Sequence, residues 1–288
     1  MDAVIDIGSN SVRLLLYKGD AVTPKRVATT VLSENLATTG KLNETAMART
    51  KSAIADFCCD AKANGADNIY IFATEAMRSA TNGDEFRKEI ERAVSLPVDV
   101  ISGEVEAKLG LLGATFALKP VGEITVIDIG GASVEVVKGN ADRITYARSL
   151  PLGARRLFDS AGSNRKDVEK FVYDHISKYG IVSGFEGVAI GGTATSLASM
   201  ALKQKVYDPI AVHCHTLTLA DLDKLIDICF SGADLCQLFP TLPPKRALII
   251  GHGAIMLRAL TEYLGLSEVI VSESDNLEGY LLLKKGVC

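Results

Sequence analysis

Apolar positions in this chain follow a pattern that occurs twice. The segment VIDIGSNSVR at residues 4–13 returns as VIDIGGASVE at residues 126–135, and the two are identical at seven of ten positions. In each copy an apolar run ends in a Gly/Ser turn just after an aspartate, and a second apolar run follows. The repeat predicts the same β-hairpin at the start of each half of the chain.

Each hairpin is followed by a third extended segment and then by alternating helical and strand-like segments. Three strands followed by alternating helices and strands, twice over, predict two α/β domains with mixed sheets and a cleft between them. We expect domains at residues 1–120 and 121–288, with the last helix able to pack back on the first domain. Predicted helices span 43–63, 84–94, 102–116, 166–179, 191–202, 219–230, 245–264 and 275–284, and predicted strands span 68–73, 97–101, 187–190 and 268–271.

Composition and charge narrow the class of protein. The 288 residues are 48% hydrophobic and 23% charged, as in ordinary globular proteins. No apolar run is long enough to span a membrane and no basic segment precedes an apolar one at the start, so the cytoplasm is the expected location. A net charge of −4 argues against nucleic-acid binding, but a local basic cleft could still bind a small polyanion. A symmetric homodimer is the default expectation for the oligomer.

The two hairpin tips carry the candidate chemistry, because each exposes backbone N–H groups beside a carboxylate, Asp6 or Asp128. Glycine permits close approach and a positive φ at such tips. An ordinary turn is the alternative and would be favoured for a single copy, but two copies in register argue for an anion site. The proposed phosphate-binding groups are the amides of Gly8, Ser9, Asn10, Gly130, Gly131 and Ala132 and the Ser133 hydroxyl.

Two further segments place polar groups at predicted helix starts. Gly191, Gly192 and Thr193 follow a predicted strand, and their N–H groups would suit an anion, although a tight turn alone would also use two glycines. Glu104 and Glu106 follow Ser102, and on sequence alone they are most simply explained as charges that complement a helix dipole.

Six blocks, in order, resemble the exopolyphosphatase and guanosine pentaphosphate phosphohydrolase (Ppx/GppA) family in its short two-domain form. The resemblance covers nearly the whole chain and implies two ribonuclease H-like domains of the actin, sugar-kinase and heat-shock ATPase superfold. The blocks are DIGSNS at 6–11, TEAMR at 74–78, ISGEVEAK at 101–108, DIGGASVE at 128–135, PLG at 151–153 and GGT at 191–193.

The resemblance assigns roles to individual residues. It implies that Glu106 orients or deprotonates the attacking water, and this reverses the preference for a helix-dipole role. It implies that Asp128 and Glu135 hold Mg²⁺, with Mn²⁺ as the alternative ion, and the symmetric Asp6 could share that task. Arg78 resembles an arginine that contacts phosphate. Arg13 is a second candidate for contacting phosphate. A role as a surface residue on a strand is equally compatible with its sequence position.

The sequence departs from the family pattern at two positions, with Ala132 where a third glycine is usual and Lys108 where arginine is usual. Ala132 restricts the turn unless its φ is negative, and Lys108 lacks the bidentate fork. The chain also ends without the helical extension of longer members, which leaves processivity and chain-length preference open.

Hydrolysis of a terminal phosphate from inorganic polyphosphate is the leading hypothesis. The 5′-phosphohydrolysis of guanosine pentaphosphate uses the same residues and is the alternative. A phosphotransferase of the same superfold and a non-hydrolysing scaffold are the other classes considered, and the glutamate in the 101–108 block favours water as the acceptor.

Overall fold

Apolar strands of the first repeated hairpin form the centre of a five-stranded mixed sheet. The computed structural model describes residues 1–19, 24–180 and 183–286. The strand order in this sheet is β3-β2-β1-β4-β5, antiparallel within the first three strands and parallel beyond them. Its strands are β1 (Asp2–Ile7), β2 (Ser11–Tyr17), β3 (Arg26–Thr29), β4 (Asn68–Ala73) and β5 (Asp99–Val100).

The second half repeats this arrangement and adds one strand. Its six-stranded sheet has the order β10-β11-β9-β6-β7-β8, in which β6, β7 and β8 correspond to the antiparallel strands of the first sheet. Its strands are β6 (Ile124–Ile129), β7 (Val134–Gly139), β8 (Ile144–Leu150), β9 (Glu186–Ile190), β10 (Thr216–Thr218) and β11 (Glu268–Val271). The duplicated α/β fold predicted from the repeat is therefore observed.

Helices cover both faces of each sheet. Helix α2 illustrates the local signals, because the Asn43 side chain accepts a hydrogen bond from the Ala46 N–H at 2.7 Å and caps it as predicted. The helices are α1 (Leu36–Thr39), α2 (Glu44–Ala63), α3 (Glu75–Ser79), α4 (Gly83–Val94), α5 (Gly103–Leu118), α6 (Ala154–Ala161), α7 (Arg165–Ile176), α8 (Gly191–Ala201), α9 (Pro209–Val212), α10 (Leu219–Cys229), α11 (Leu235–Leu238), α12 (Pro244–Ala247), α13 (Ile250–Tyr263) and α14 (Asn276–Lys284), and a 3₁₀ turn lies at Ser177–Tyr179.

Three segments differ from the sequence-based expectation. The helix predicted at 245–264 is divided into α12 and α13, because Ile249 leaves the helical conformation with φ −121° and ψ −7°. The strand predicted at 97–101 is reduced to the two residues of β5 at the edge of its sheet. The helix predicted at 166–179 ends at Ile176, and the 3₁₀ turn that follows stops at Gly180, whose φ is +80°.

Helices α5 and α14 form a shared layer between the two sheets. Leu277, Tyr280 and Leu281 of α14 pack with Val4 and Phe72 of the first sheet. The other face of α5 packs against Val126, Val137 and Val188 of the second sheet. The last helix therefore packs against the sheet formed by the first half of the chain, and we propose the division at residue 120 as the boundary between domains.

Glycines let these two helices approach within backbone contact. A Cβ on Gly113 would lie 2.0 Å from the Asp275 carbonyl oxygen, and a Cβ on Gly279 would lie 2.0 Å from that of Leu109. Any side chain at either position would separate the helices. None of the helices in the described ranges is long and apolar enough to cross a bilayer.

Candidate active site

The tips of the two repeated hairpins face each other across the cleft. A Cβ built on Gly131 would lie 3.2 Å from Cβ of Asn10 and 3.4 Å from Cβ of Ser9. A side chain at position 131 would therefore crowd the close approach of the two tips. Gly131 does not adopt a positive φ, and neither do Gly8, Gly130 and Ala132. This corrects the expectation that these glycines supply a left-handed turn, and it shows that alanine at position 132 causes no backbone strain.

The backbone carbonyl groups of both tips accept hydrogen bonds from chain segments on the side away from the cleft. Ser33 N–H donates to the Ser9 carbonyl at 2.9 Å, and Thr30 and Val31 donate to that of Asn10. In the second tip, Arg155 N–H donates to the Gly131 carbonyl at 2.9 Å, an equivalent arrangement. Such bonding turns the opposite edge of each tip, which carries the N–H groups, toward the cleft.

Four tip amides remain as candidate donors to an anion. The N–H groups of Gly8 and Gly130 close their own turns by donating to the carbonyls of Ser11 and Ser133, at 3.1 and 3.0 Å. These two amides are a correction to the predicted set, because they already have acceptors. Within the described part of the chain, the N–H groups of Ser9, Asn10, Gly131 and Ala132 have none.

Glu106 lies at the first turn of α5 and lines the same cleft. The Ser102 side chain caps that helix by accepting from the Val105 N–H at 3.2 Å, and the Glu106 residue is only 7% exposed. Burial raises the pKa of Glu106 well above its usual value, Glu135 and Asp128 raise it further, and Arg78, with Nη1 3.5 Å from its carboxylate, lowers it. A buried carboxylate with a raised pKa is a stronger proton acceptor than an exposed one.

Asp128 and Glu135 are cross-strand neighbours on β6 and β7. Asn276 Nδ2 donates to Asp128 Oδ2 at 3.0 Å, and Ser149 Oγ donates to Glu135 Oε1 at 2.6 Å. Burial raises the pKa of both carboxyl groups, and their mutual repulsion adds to that of Asp128. Asp128 lines the cleft, whereas Glu135 lies behind it.

Asp6 and Arg13 occupy the equivalent cross-strand positions in the first hairpin. Arg13 Nε donates to Asp6 Oδ2 at 2.9 Å, and its Nη1 donates to Asp275 Oδ2 at 2.5 Å. Lys25 Nζ lies 3.0 Å from the carboxylates of both Asp275 and Glu278. Arg13 lines the cleft, but carboxylates occupy its guanidinium on two sides, so it holds Asp6 in place instead of offering a free cation to phosphate.

The strand-to-helix turn at Gly191 and Gly192 forms the opposite wall of the cleft. Gly191 has φ +78°, and a Cβ there would lie 2.5 Å from Asp128 Oδ1. The Thr193 hydroxyl donates to the Ile129 carbonyl at 2.7 Å, which ties helix α8 to β6. The predicted GGT segment therefore lies at the site. The Thr193 hydroxyl, however, makes a hydrogen bond that holds the fold together.

Arg246 is a site residue that the sequence did not reveal. Its Nη1 donates to Ser196 Oγ at 3.1 Å and to the Gly192 carbonyl at 3.3 Å. It forms no ion pair with any of the carboxylates in the described ranges. Burial lowers the pKa of Arg246, and the charge of Arg13 lowers it further. A half-buried arginine without an acidic partner in a cleft is suited to an anionic ligand.

The predicted residues converge on one cleft, with two exceptions. Arg78 and Glu135 lie outside the lining, although both are within electrostatic reach of Glu106. Lys108, the departure from the family pattern, is exposed and lines a separate groove. The cleft lining includes Asp6, Gly8, Ser9, Asn10, Arg13, Thr74, Glu106, Asp128, Gly130, Gly131, Ala132, Ser133, Gly191, Gly192, Thr193, Arg246 and Asn276.

The carboxylates fit a divalent ion that is bound jointly with phosphate. No cluster of three or more His, Cys, Asp or Glu side chains arranged to hold a metal occurs in residues 1–19, 24–180 and 183–286. However, Asp6 Oδ1 is buried without a hydrogen-bond partner, and Asp6 lines the cleft together with Asp128. Mg²⁺ near phosphate typically takes one or two carboxylates, waters and phosphate oxygens. Asp6 and Asp128 fit that mode better than Glu135, because Glu135 does not line the cleft.

The duplicated sheets and opposed hairpin tips are those of the actin, sugar-kinase and heat-shock ATPase superfold, as predicted. Residues 19–285 match the Ppx/GppA phosphatase family, and the chain belongs to that family. The crystal structure of the Aquifex aeolicus family member has a TM-score of 0.81 to this chain at 29% identity, and the alignment covers 99% of this chain and 97% of that one.

The names of proteins with similar sequences agree with this family assignment. Exopolyphosphatase 2 of Mycobacterium tuberculosis is 29% identical, over 99% of this chain and 98% of that protein. A guanosine-5′-triphosphate,3′-diphosphate pyrophosphatase of Aeromonas hydrophila is 28% identical over 97% of this chain, and a bifunctional 3-dehydroquinate synthase/phosphatase of Fusobacterium nucleatum is 30% identical over 97%. The chain spans only 58% and 46% of these last two proteins. The predicted family and enzyme class, a hydrolase, are confirmed.

Proposed function

We propose that this protein is a divalent-metal-dependent phosphohydrolase that releases the terminal phosphate of inorganic polyphosphate. The observation that carries the proposal is that Glu106, a buried carboxylate, lines the same cleft as the unbonded amides of two opposed hairpin tips. The name of the mycobacterial relative, which aligns over nearly its full length, supports polyphosphate as the substrate.

The terminal phosphate would lie between the tips. The N–H groups of Ser9, Asn10, Gly131 and Ala132 donate to its oxygens from two sides, and the Ser133 hydroxyl adds a donor. Arg246 and the N–H groups of Gly191 and Gly192 hold the next phosphate of the chain. Because these groups are fixed by backbone bonds, they stabilise the charge that spreads over the phosphoryl oxygens during in-line attack without reorganising.

Glu106 is the proposed base. Water between Glu106 and the phosphorus atom gives its proton to the carboxylate, its oxygen forms the new P–O bond, and the bond to the shortened chain breaks with its electron pair on that leaving oxygen. Burial and the neighbouring carboxylates raise the pKa of Glu106, and Arg78 beside it opposes that rise, which favours the ionised form that accepts the proton. Mg²⁺, or alternatively Mn²⁺, held by Asp6 and Asp128 with Glu135 behind them, would neutralise charge on the phosphate oxygens.

A second candidate substrate is guanosine pentaphosphate. A cavity of about 180 Å³ adjoins the cleft at Gly191, Gly192 and Arg246, away from Glu106. Hydroxyl groups of Thr195, Ser196, Ser199, Tyr207 and Thr241 line it, and Lys25 at its edge is neutralised by acidic partners. A hydroxyl-rich cavity in which Arg246, at its junction with the cleft, is the one lining cation of the described residues without an acidic partner suits a sugar or base better than it suits further phosphates. The Aeromonas relative supports this alternative by name.

The test is phosphate release by the purified wild type and by Glu106→Gln, with and without Mg²⁺. Long-chain polyphosphate, guanosine pentaphosphate and ATP are supplied in parallel. Release from polyphosphate that requires the metal and falls by about 10²- to 10⁴-fold in the variant supports the leading proposal. Preferential release from guanosine pentaphosphate supports the second candidate. No release from any substrate by folded wild type contradicts both and favours the phosphotransferase or scaffold classes.

A further inference from the structure

A carboxylate bridges two arginines from opposite halves of the chain at the Glu106 end of the cleft. Glu75 on α3 accepts from Arg78 Nη2 at 2.6 Å, and its other oxygen lies 3.6 Å from Arg156 Nη2 on α6. Arg78 also contacts Glu106, so the bridge lies immediately beside the proposed base. The three side chains are only 17–26% exposed.

Neither arginine has another acidic partner that explains its position as well. The Arg78 contact with Glu106 is longer, at 3.5 Å, and Arg156 pairs only with Glu75 among the carboxylates of the described ranges. The Arg156 backbone N–H donates to the Gly131 carbonyl at 3.1 Å, so the backbone of this residue lies directly behind the second hairpin tip. Neither arginine lines the cleft itself, but both flank it: Arg78 contacts Glu106, and Arg156 lines a small groove that meets the cleft at Ala132.

Two guanidinium groups around one anion also form a common binding arrangement for phosphate, which offers more oxygens and more negative charge than a carboxylate. Glu75 supplies the same kind of acceptor at the same place.

We infer that Glu75 competes with inorganic phosphate for Arg78 and Arg156 and thereby limits how tightly the Glu106 end of the cleft holds phosphate. The inference rests on the proposed function in one respect, because phosphate is the product of that reaction. A product with two or more negative charges that gained both arginines would leave slowly. Glu75 offsets that gain, and it replaces the phosphate on both guanidinium groups as the product leaves.

The test measures equilibrium binding of inorganic phosphate by calorimetry, without turnover, so its failure is distinguishable from failure of the proposed hydrolysis. Glu75→Gln removes the competing charge and is expected to tighten phosphate binding roughly 3- to 10-fold relative to wild type. Adding Arg156→Gln to Glu75→Gln is expected to abolish that gain, because one of the two released cations is lost. Circular dichroism establishes that each variant is folded.

The matched control is Glu169→Gln, which removes a carboxylate from an ion pair with Arg165 on α7. It is expected to leave phosphate affinity unchanged. Glu75→Asp is the second variant if Glu75→Gln does not fold, because its shorter side chain no longer reaches both arginines, and it is expected to tighten binding in the same direction. Unchanged or weaker phosphate binding in the folded Glu75 variants would overturn the inference, and Glu75 would then be a structural ion-pair partner only.

Discussion

Arg13 on the first hairpin donates to Asp275 at the start of the last helix, with a distance of 2.5 Å between Nη1 and Oδ2. The two residues are 262 positions apart in sequence, and the bond ties the chain end to the hairpin that carries Asp6. Lys25 reaches the same Asp275 oxygen at 3.0 Å. One buried carboxylate thus balances two cations beside the cleft.

Replacing that carboxylate is expected to destabilise the fold. Asp275→Asn leaves Arg13 and Lys25 without their shared anion, at an expected cost of about 3 kcal/mol at pH 7, while asparagine can still cap α14. Burial alone would raise the pKa of Asp275, but Arg13 and Lys25 lower it to about 2. Because this folded value is below the unfolded value of about 3.9, the carboxylate stabilises the fold above pH 4 and loses that effect as the pH falls toward 2.

Urea unfolding at pH 7 and pH 3 tests this. The difference in unfolding free energy between wild type and Asp275→Asn is expected to be smaller at pH 3. Asp227→Asn, at an exposed ion pair with Arg165, serves as the control with a difference near zero at both values. An equal penalty at the two pH values would show that the ion pairs are not the cause.

Arg78 is expected to set the acidic limit of activity. Because Arg78 lowers the pKa of Glu106, Arg78→Gln should raise that pKa and shift the acidic limb of kcat/KM toward higher pH. The measurement is the pH profile of phosphate release from polyphosphate. Arg87→Gln, which affects ion pairs within α4, should leave the profile in place. A lower rate with an unshifted limb would mean that Arg78 acts on substrate and not on Glu106.

Gly191 is expected to be essential for the position of Asp128. Gly191→Ala introduces left-handed strain of about 1–2 kcal/mol and also places a methyl group 2.5 Å from Asp128 Oδ1, so activity should fall by at least tenfold. Gly40→Ala introduces the same kind of strain at φ +67° with open space around the new Cβ. Gly191→Ala should lose at least as much thermal stability as Gly40→Ala, and only Gly191→Ala should lose phosphate release. Equal activities would contradict the steric argument.

Arg246 is expected to contribute to substrate binding at the expense of stability. Arg246→Gln should raise KM about tenfold or more, because a cation for the substrate is lost. Its melting temperature should be unchanged or higher, because the removed charge is desolvated and without an acidic partner. The adjacent exposed Lys245→Gln is the control for a general change in charge. A large loss of stability with unchanged KM would assign Arg246 to the fold instead.

The sequence predicted those parts of the site that are local in the chain. The two hairpins are contiguous repeats, so the repeat itself indicated Asp6 and Asp128, whereas the role of Glu106 was indicated only by the resemblance of the six blocks to the family. Arg246, Asp275 and Asn276 were missed because they reach the cleft only through tertiary packing. Asp275 and Glu278 form a capping box, which is typical of a helix start but does not indicate which part of the fold that helix packs against.

The sequence pattern around Arg246 also gave no indication that this residue lies at the site, because the pattern is that of one unbroken helix. Apolar periodicity across 245–264 predicts one continuous helix, whereas the structure interrupts it at Ile249. Propensity does not report such an interruption, because packing against the rest of the fold causes it. Which tip amides are free, and which carboxylate oxygen is unbonded, likewise depends on bonds from segments distant in the sequence.

The interleaved helices α5 and α14 have a consequence for how the chain can be divided. A fragment ending before α14 leaves Val4 and Phe72 without their cover, and a fragment beginning after α5 leaves Val126 and Val188 exposed. Each half keeps an apolar cluster on one face of its sheet but loses part of the layer on the other face. Separately expressed pieces cut near residue 120 should therefore aggregate alone and recover activity only when they are refolded together, so the two halves of the repeat behave as one cooperative folding unit.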